Sequence, residues 1–171
     1  NVYERYKQTA KKFNIDNIIR ITSDCPLLDV SLLDKIKNEF ISKKLDYISN
    51  TLPIKESKFP NGSDIEIFKS KLFQKYKSLT KEDKEHVTNV FWQDKRLKKK
   101  IFKNNINYSN LRYTLDYNKD LIVIKKILKF LKKNKKKITY KNICKFLLNN
   151  PQIANLNKEA NNIFQGNNIV K

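Results

Sequence analysis

The order of apolar and polar positions predicts alternating helices and strands. Apolar and aromatic residues recur at helical spacing over residues 3–13, which predicts an amphipathic helix. An apolar run at about 17–22 predicts a strand. A second helix is predicted over residues 29–42, and either Asp29 or Ser31 can cap it. Its buried stripe is formed by apolar side chains at helical spacing: Leu32, Leu33, Ile36, Phe40 and Ile41.

The rest of the chain continues this alternation. Further strands are predicted at 45–50, 63–68, 100–107 and 111–115, and further helices at 69–77, 80–95, 120–131 and 139–149. Residues 52–62 form a loop with prolines, and Asn118 is expected to cap the helix over 120–131. Alternation of strand with helix predicts an α/β fold with a mostly parallel sheet flanked by helices.

Length and composition indicate one globular domain. The chain has 171 residues, which fits a single domain over residues 1–157 with a polar tail at 158–171. No apolar run approaches the roughly 18 residues of a membrane span, and no secretory pattern is present. We therefore expect a cytoplasmic protein without a membrane partner. Cys25 and Cys144 lie far apart without metal-ligand neighbours, which favours reduced thiols.

The formal charge of +20 does not by itself predict nucleic-acid binding. Only four of the 37 basic residues are Arg, the side chain favoured for contacts with bases and phosphates. The excess is almost entirely Lys, accompanied by Asn and Ile, as A+T-rich codon usage would produce. We therefore expect solvated surface lysines. A basic nucleic-acid-binding module remains the alternative.

Two aspartates stand where an open α/β sheet binds its ligands. Asp24 and Asp116 each follow an apolar strand and precede a helix. In a parallel sheet such positions share one edge, so both carboxylates can converge on one ion, and Mg²⁺ prefers such oxygen ligands. The alternative is two unrelated turn aspartates.

A second acidic motif occurs in the segment PNGSDIEIF. Gly62 suits a turn with positive φ. Asp64 and Glu66 alternate with apolar residues and so share one strand face, which plain solvent exposure would also explain. Arg20 and Arg112 lie within predicted strands. Each can pair with a site carboxylate or contact phosphate, and we favour the ion pair. The single histidine, His86, suits acid and base chemistry but also fits a helix surface.

Five ordered segments of the chain resemble the cytidylyltransferase family. They are VYERYKQTAKKFNIDNIIRITSDCPLLD, DYISNTL, FPNGSDIEIF, KEHVTNVF and LRYTLDYNKDL, and the likeness spans roughly residues 2–157. The resemblance is to enzymes that activate acylneuraminate and 3-deoxy-octulosonate, in particular to the branch linked with spore coat polysaccharide synthesis. It implies a Rossmann-like nucleotide-diphospho-sugar transferase fold.

The resemblance also implies a reaction and a set of site residues. CMP would pass from CTP to a sugar hydroxyl with release of pyrophosphate, and Asp24 and Asp116 would bind the catalytic Mg²⁺. The substrate-binding residues would include Gly62, Asp64, Glu66 and His86, which the resemblance places beside the sugar. Arg20 is added to them because its strand position would also allow contact with phosphate. Family members typically form homodimers, and residues 50–68 are the expected contacts.

The sequence departs from the family pattern at several places. Ser23 replaces a glycine before Asp24, and Tyr117-Asn118-Lys119 replaces Thr-Pro-Glu after Asp116. The family's first βα unit, with its phosphate-binding loop, has no counterpart here, so we expect an N-terminally truncated chain that is inactive by itself. A further alternative is an inactive relative that serves as a subunit.

Overall fold

The computed structural model describes residues 1–76 and 78–160, without the side chain of Lys55. At its centre lies a sheet of four short strands in the order β1-β3-β2-β4. The strands are β1 (Asn17–Arg20), β2 (Tyr47–Ser49), β3 (Glu66–Lys69) and β4 (Lys99–Ile101). Of the predicted polar tail, residues 161–171 lie outside the described part of the chain.

The sheet is mixed, and the prediction of a mostly parallel sheet was wrong. β3 lies antiparallel between β1 and β2, with Arg20 opposite Glu66 and Ile48 opposite Ile67. Only β2 and β4 are parallel. The cause is the 52–62 loop, which contains a 3₁₀ turn (Ile54–Glu56) instead of a full helical crossover. The chain therefore returns from β2 in the opposite direction.

Helices cover both faces of the sheet, as predicted. They are α1 (Val2–Lys12), α2 (Val30–Ser42), α3 (Leu72–Lys75), α4 (Lys81–His86), α5 (Asn89–Gln93), α6 (Asn118–Lys133), α7 (Tyr140–Leu148) and α8 (Pro151–Ala154). On one face, α2, α6 and α7 bury a core that includes Ile48 and Ile67. On the other face, α1, α3 and α5 pack aromatic rings around Phe68. Adjacent residues of β3 thus serve opposite cores, because side chains alternate along a strand.

Two helix starts test the predicted caps. Asp29 caps α2 by accepting a hydrogen bond from the Leu32 N–H at 3.1 Å, which confirms one of the two predicted caps. The predicted cap of α6 was wrong, because Asn118 is already inside the helix. The Asp120 carboxylate instead reaches back to the N–H groups of Asp116 and Tyr117, each at 3.0 Å.

Several other predicted elements are shorter or interrupted, among them the helix predicted over 69–77, which is Leu72–Lys75, and the strand predicted at 100–107, which is Lys99–Ile101. The helix predicted over 80–95 is divided into α4 and α5, because Val87 adopts φ +65° and ends the first helix. The strand predicted at 111–115 is reduced to one parallel bridge, between Asn61 and Arg112. Both changes bring polar residues to the same end of the sheet. No helix within residues 1–76 and 78–160 is long and apolar enough to cross a membrane.

Candidate active site

A cleft with a volume of about 740 Å³ opens where β1 ends, beside the α4–α5 junction. Five of the seven predicted site residues line it: Arg20, Asp24, Asp64, Glu66 and His86. They come from β1 and the turn after it, the chain leading into β3, and α4. The fold therefore gathers residues that are up to 66 positions apart in the sequence into one concave site.

A partly buried ion pair forms one wall of the cleft. Arg20 Nη1 lies 2.5 Å from Glu66 Oε1, because the two residues are direct partners across β1 and β3. The Tyr47 hydroxyl donates to Glu66 Oε2 at 2.6 Å. Burial, together with the adjacent Glu66 carboxylate, raises the pKa of Tyr47 well above its usual value. Glu66 is 4% exposed, which excludes plain solvent exposure as the explanation of the acidic strand face.

Gly62 holds Asp64 in place. It has φ +108°, and its N–H donates to Asp64 Oδ2 at 2.9 Å. A Cβ at this position would lie 2.7 Å from backbone atoms of Tyr113 and Thr114, so only glycine fits. The close approach joins the Asp64 segment to the chain that leads to Asp116.

Asp64 is a carboxyl group whose surroundings favour the neutral form. Burial raises its pKa, and the nearby Glu66 carboxylate adds to the shift, although hydrogen bonds from Gly62 and Thr51 oppose it. The Cys25 thiol lies 3.6 Å from Asp64 Oδ2 and 3.8 Å from Asp24 Oδ1. Burial likewise raises the pKa of Cys25, so the thiol stays protonated beside two acids.

The two predicted metal aspartates lie on adjoining chain segments. The carbonyl of Asp24 accepts a hydrogen bond from the Leu115 N–H at 2.8 Å, one residue before Asp116. The Asp116 side chain is 43% exposed. Its described hydrogen bonds all reach Oδ2, at 2.5 Å from Arg112 Nη2 and 3.4 Å from the Thr114 hydroxyl. Oδ1 therefore remains for a ligand.

Arg112 connects Asp116 to a buried network. Its guanidinium donates to both oxygens of Asp120, at 3.0 and 2.9 Å, and Asp120 is fully buried. Asn157 donates to Asp120 Oδ1 at 2.6 Å. Burial alone would raise the pKa of Asp120, but hydrogen bonds from Arg112, Asn157 and two backbone N–H groups lower it overall. Of the two alternatives for Arg112, the structure shows the ion pair.

The described side chains fit a magnesium ion only in part. Within residues 1–76 and 78–160, no group of three or more His, Cys, Asp or Glu side chains is arranged to hold a metal. Asp24 and Asp116 supply two hard oxygen donors on adjoining segments. Mg²⁺ is usually held by one or two carboxylates together with substrate phosphates, so this donor set fits an ion that arrives with a nucleotide.

The cleft also contains polar residues that sequence reasoning missed. Asn61 Nδ2 and Trp92 Nε1 are buried hydrogen-bond donors without a partner among the described residues, and both side chains line the cleft. Buried donors are normally paired, so these two are available to a ligand. The sequence offered one signal for these residues, which is that Trp and Gly are rare in this lysine-rich chain. That signal points to Trp92 directly, and to Asn61 only through its neighbour Gly62.

Comparison with known proteins shows which class of protein has a similar structure. No family model matches the chain. The structure is similar to that of a cytidylyltransferase from Leptospira borgpetersenii serovar Hardjo-bovis, with a TM-score of 0.79 and 27% identity. The match covers 89% of this chain and 64% of that chain. The mixed α/β architecture with its four-stranded sheet is thus that of a cytidylyltransferase fold.

A sequence relative extends over nearly the whole chain. The uncharacterized protein MJ1063 of Methanocaldococcus jannaschii is 28% identical over 179 aligned positions, which cover 94% of this chain and 65% of that protein. The chain therefore spans slightly less than two thirds of the length of both similar proteins. The structural match supports the cytidylyltransferase family.

Proposed function

We propose that the protein is a nucleotidyltransferase that transfers CMP from CTP to an acidic or related surface-polysaccharide sugar and releases pyrophosphate. One observation carries this proposal: a cleft in a cytidylyltransferase-like fold gathers Arg20, Asp24, Asp64, Glu66 and His86. The proposed setting is the cytoplasm, and the proposed pathway is spore coat or related polysaccharide synthesis. The proposed assembly is a homodimer with contacts from residues 50–68.

Asp24 and Asp116 would hold a magnesium ion in this reaction. The ion would supply charge neutralisation at the phosphates during attack of the sugar hydroxyl on the α-phosphorus. Arg112 sets the position of Asp116 through Oδ2 and leaves Oδ1 without a described hydrogen bond. The protein's own contribution is placement, which is the main requirement of phosphoryl-type transfer.

The remaining cleft residues would bind the sugar and orient it. Asp64, just before β3, and Glu66, its first residue, both line the cleft, and the ion pair of Glu66 with Arg20 holds this wall in place. His86 is exposed at the end of α4 and lines the cleft, where it can contact the acceptor. The unpartnered donors of Asn61 and Trp92 can bind hydroxyl, carboxylate or phosphate oxygens.

Ligand-induced stabilisation and product release test the proposal together. We expect CTP with Mg²⁺ to raise the melting temperature, and pyrophosphate to appear when a chain that also includes the family's first βα unit is given a suitable acidic sugar. Asp24→Asn should abolish the Mg²⁺-dependent part of the shift. Lys35→Gln, at an exposed position on α2, is the matched control and should leave it unchanged. CTP binding without pyrophosphate release on any sugar would favour an inactive relative instead.

A further inference from the structure

The net charge of the chain is concentrated in one segment. Residues 121–158 contain 11 lysines and no Asp or Glu, whereas residues 1–120 contain 16 acidic residues. At the frequency of the first 120 residues, a segment of this length would contain about five acids. Codon usage that favours Lys does not explain this, because it does not remove Asp and Glu. The depletion of acids makes the α6–α7 surface basic.

All 11 of these lysines are exposed, and none has a described carboxylate within ion-pair distance. The nearest described pair on this side of the molecule joins Lys119 to Glu159 at 3.8 Å. The positive charge of α6, of the loop after it and of α7 is therefore uncompensated. Such a surface attracts an extended anionic partner.

Apolar side chains alternate with these lysines on the outer face of α6. Leu121, Lys125, Leu128 and Lys132 follow one another at spacings of four, three and four residues, so they form one ridge along the helix. We call these four residues the basic ridge. Leu121 is 38% exposed and Leu128 is 41% exposed, and Ile122 beside them is 46% exposed. The inner face of α6 packs into the core, so the outer face has no partner within the described chain.

We propose that the basic ridge docks the protein onto an anionic lipid surface. A helix with lysines and exposed leucines on one face suits the boundary between lipid headgroups and acyl chains, because both kinds of side chain gain there. A nucleic acid would bind the lysines through its phosphates but would make no favourable contact with the exposed leucines. The absence of Arg from residues 121–158 also argues against it. Docking on a membrane surface needs no spanning segment, and the lack of such a segment was the reason for predicting no membrane partner.

Vesicle co-sedimentation tests the ridge. The probe is vesicles of about one-third phosphatidylglycerol in phosphatidylcholine, compared with pure phosphatidylcholine. We expect the protein to sediment with the acidic vesicles and to stay in solution with the neutral ones. The triple variant Lys125→Glu, Lys129→Glu, Lys132→Glu changes both ridge lysines and the neighbouring Lys129, and it should lower partitioning at least about tenfold. Circular dichroism melting checks that the variant remains folded.

Two further variants keep the proposal falsifiable. The matched control Lys11→Glu, Lys12→Glu, Lys35→Glu makes the same change of net charge on α1 and α2, and should weaken partitioning much less. An equal loss in both variants would mean that net charge acts alone and would overturn the ridge. Leu121→Ser with Leu128→Ser should weaken vesicle binding at high salt. If this variant binds like wild type while duplex DNA displaces the vesicles, the partner is nucleic acid instead.

Discussion

Asp120 does not line the cleft, but it determines the position of Asp116. Its carboxylate binds Arg112, Asn157 and the backbone N–H groups of Asp116 and Tyr117, so it fixes both the start of α6 and the guanidinium that contacts Asp116. Asn157, near the end of the described chain, therefore helps to position the site through its hydrogen bond to Asp120.

Removing the guanidinium should be strongly destabilising. Arg112→Met leaves the buried Asp120 carboxylate uncompensated, and we expect a loss of about 3–5 kcal/mol in the free energy of unfolding, measured with urea. Because the pKa of Asp120 is lowered in the folded state, its contribution is present above the unfolded pKa and is lost as pH falls through the folded pKa. Adding Asp120→Asn to Arg112→Met should recover part of the loss. No recovery would mean that packing, not charge, dominates.

Substitution of Asn61 should weaken ligand binding and leave stability nearly unchanged. Asn61→Ala removes a buried donor that has no described partner, so the free energy of unfolding should change by less than about 1 kcal/mol. Ligand affinity should fall, because the variant loses a donor that faces the cleft. Calorimetry with CTP and Mg²⁺, with and without an acidic sugar, measures this. A large loss of stability would show that the amide serves the fold.

Asp64 should make the folded protein less stable at neutral pH. Its pKa is raised in the folded state, so the folded protein binds more protons than the unfolded chain, and stability falls as pH rises from the unfolded pKa through the folded one. Asp64→Asn should therefore raise the unfolding free energy at pH 7 by about 1 kcal/mol, while lowering activity. The gain should shrink as pH falls through the folded pKa and should be gone below about pH 3.9, the unfolded value. A gain that is independent of pH would contradict this explanation.

At the scale of elements, the sequence predicted helices better than strand direction. α2 begins directly after Asp29 because a capping residue and an apolar stripe coincide there, and such local signals can be read from the sequence. Strand direction depends on the 52–62 loop, whose proline-rich composition did not distinguish a crossover from a return. The break at Val87 could not be predicted either, because a β-branched residue at positive φ requires its buried tertiary packing.

Asn50 extends the pairing of β2 with the chain that enters β3. Its side chain donates to the Ser63 carbonyl at 2.7 Å and accepts from the Ile65 N–H at 2.8 Å, so it brackets Asp64. Asn50→Asp should cost about 1–3 kcal/mol, because the carboxylate cannot donate to Ser63. Chemical denaturation measures the cost. Ser42→Asp, at the exposed end of α2, is a control of equal charge and should cost much less.

For the whole molecule, the charge of +20 should make stability depend on salt. Self-repulsion opposes the compact state, and added salt screens it. We expect the melting temperature to rise as NaCl increases from about 0.05 M to about 0.3 M. The Lys125→Glu, Lys129→Glu, Lys132→Glu variant should show a weaker rise. An unchanged or falling melting temperature in wild type would show that favourable surface ion pairs outweigh the repulsion.

The candidate site was predictable where the sequence contained rare residues. Gly62, His86 and Arg20 are uncommon types in a lysine-rich chain, and the structure places Arg20 and His86 in the cleft and Gly62 at a close backbone approach. Asn61 could not be singled out, because asparagine is abundant. Its lack of a hydrogen-bond partner becomes visible only in three dimensions.

The antiparallel position of β3 has a consequence for how the protein is made. β1 and β2 do not pair with each other, and both bind β3, which ends at Lys69. During translation, β1 and β2 therefore cannot pair with β3 until β3 has left the ribosome. Arg20 and Tyr47 acquire Glu66 in that same event. The wall of the cleft and the centre of the sheet should thus appear together, once the chain has been synthesised past Lys69.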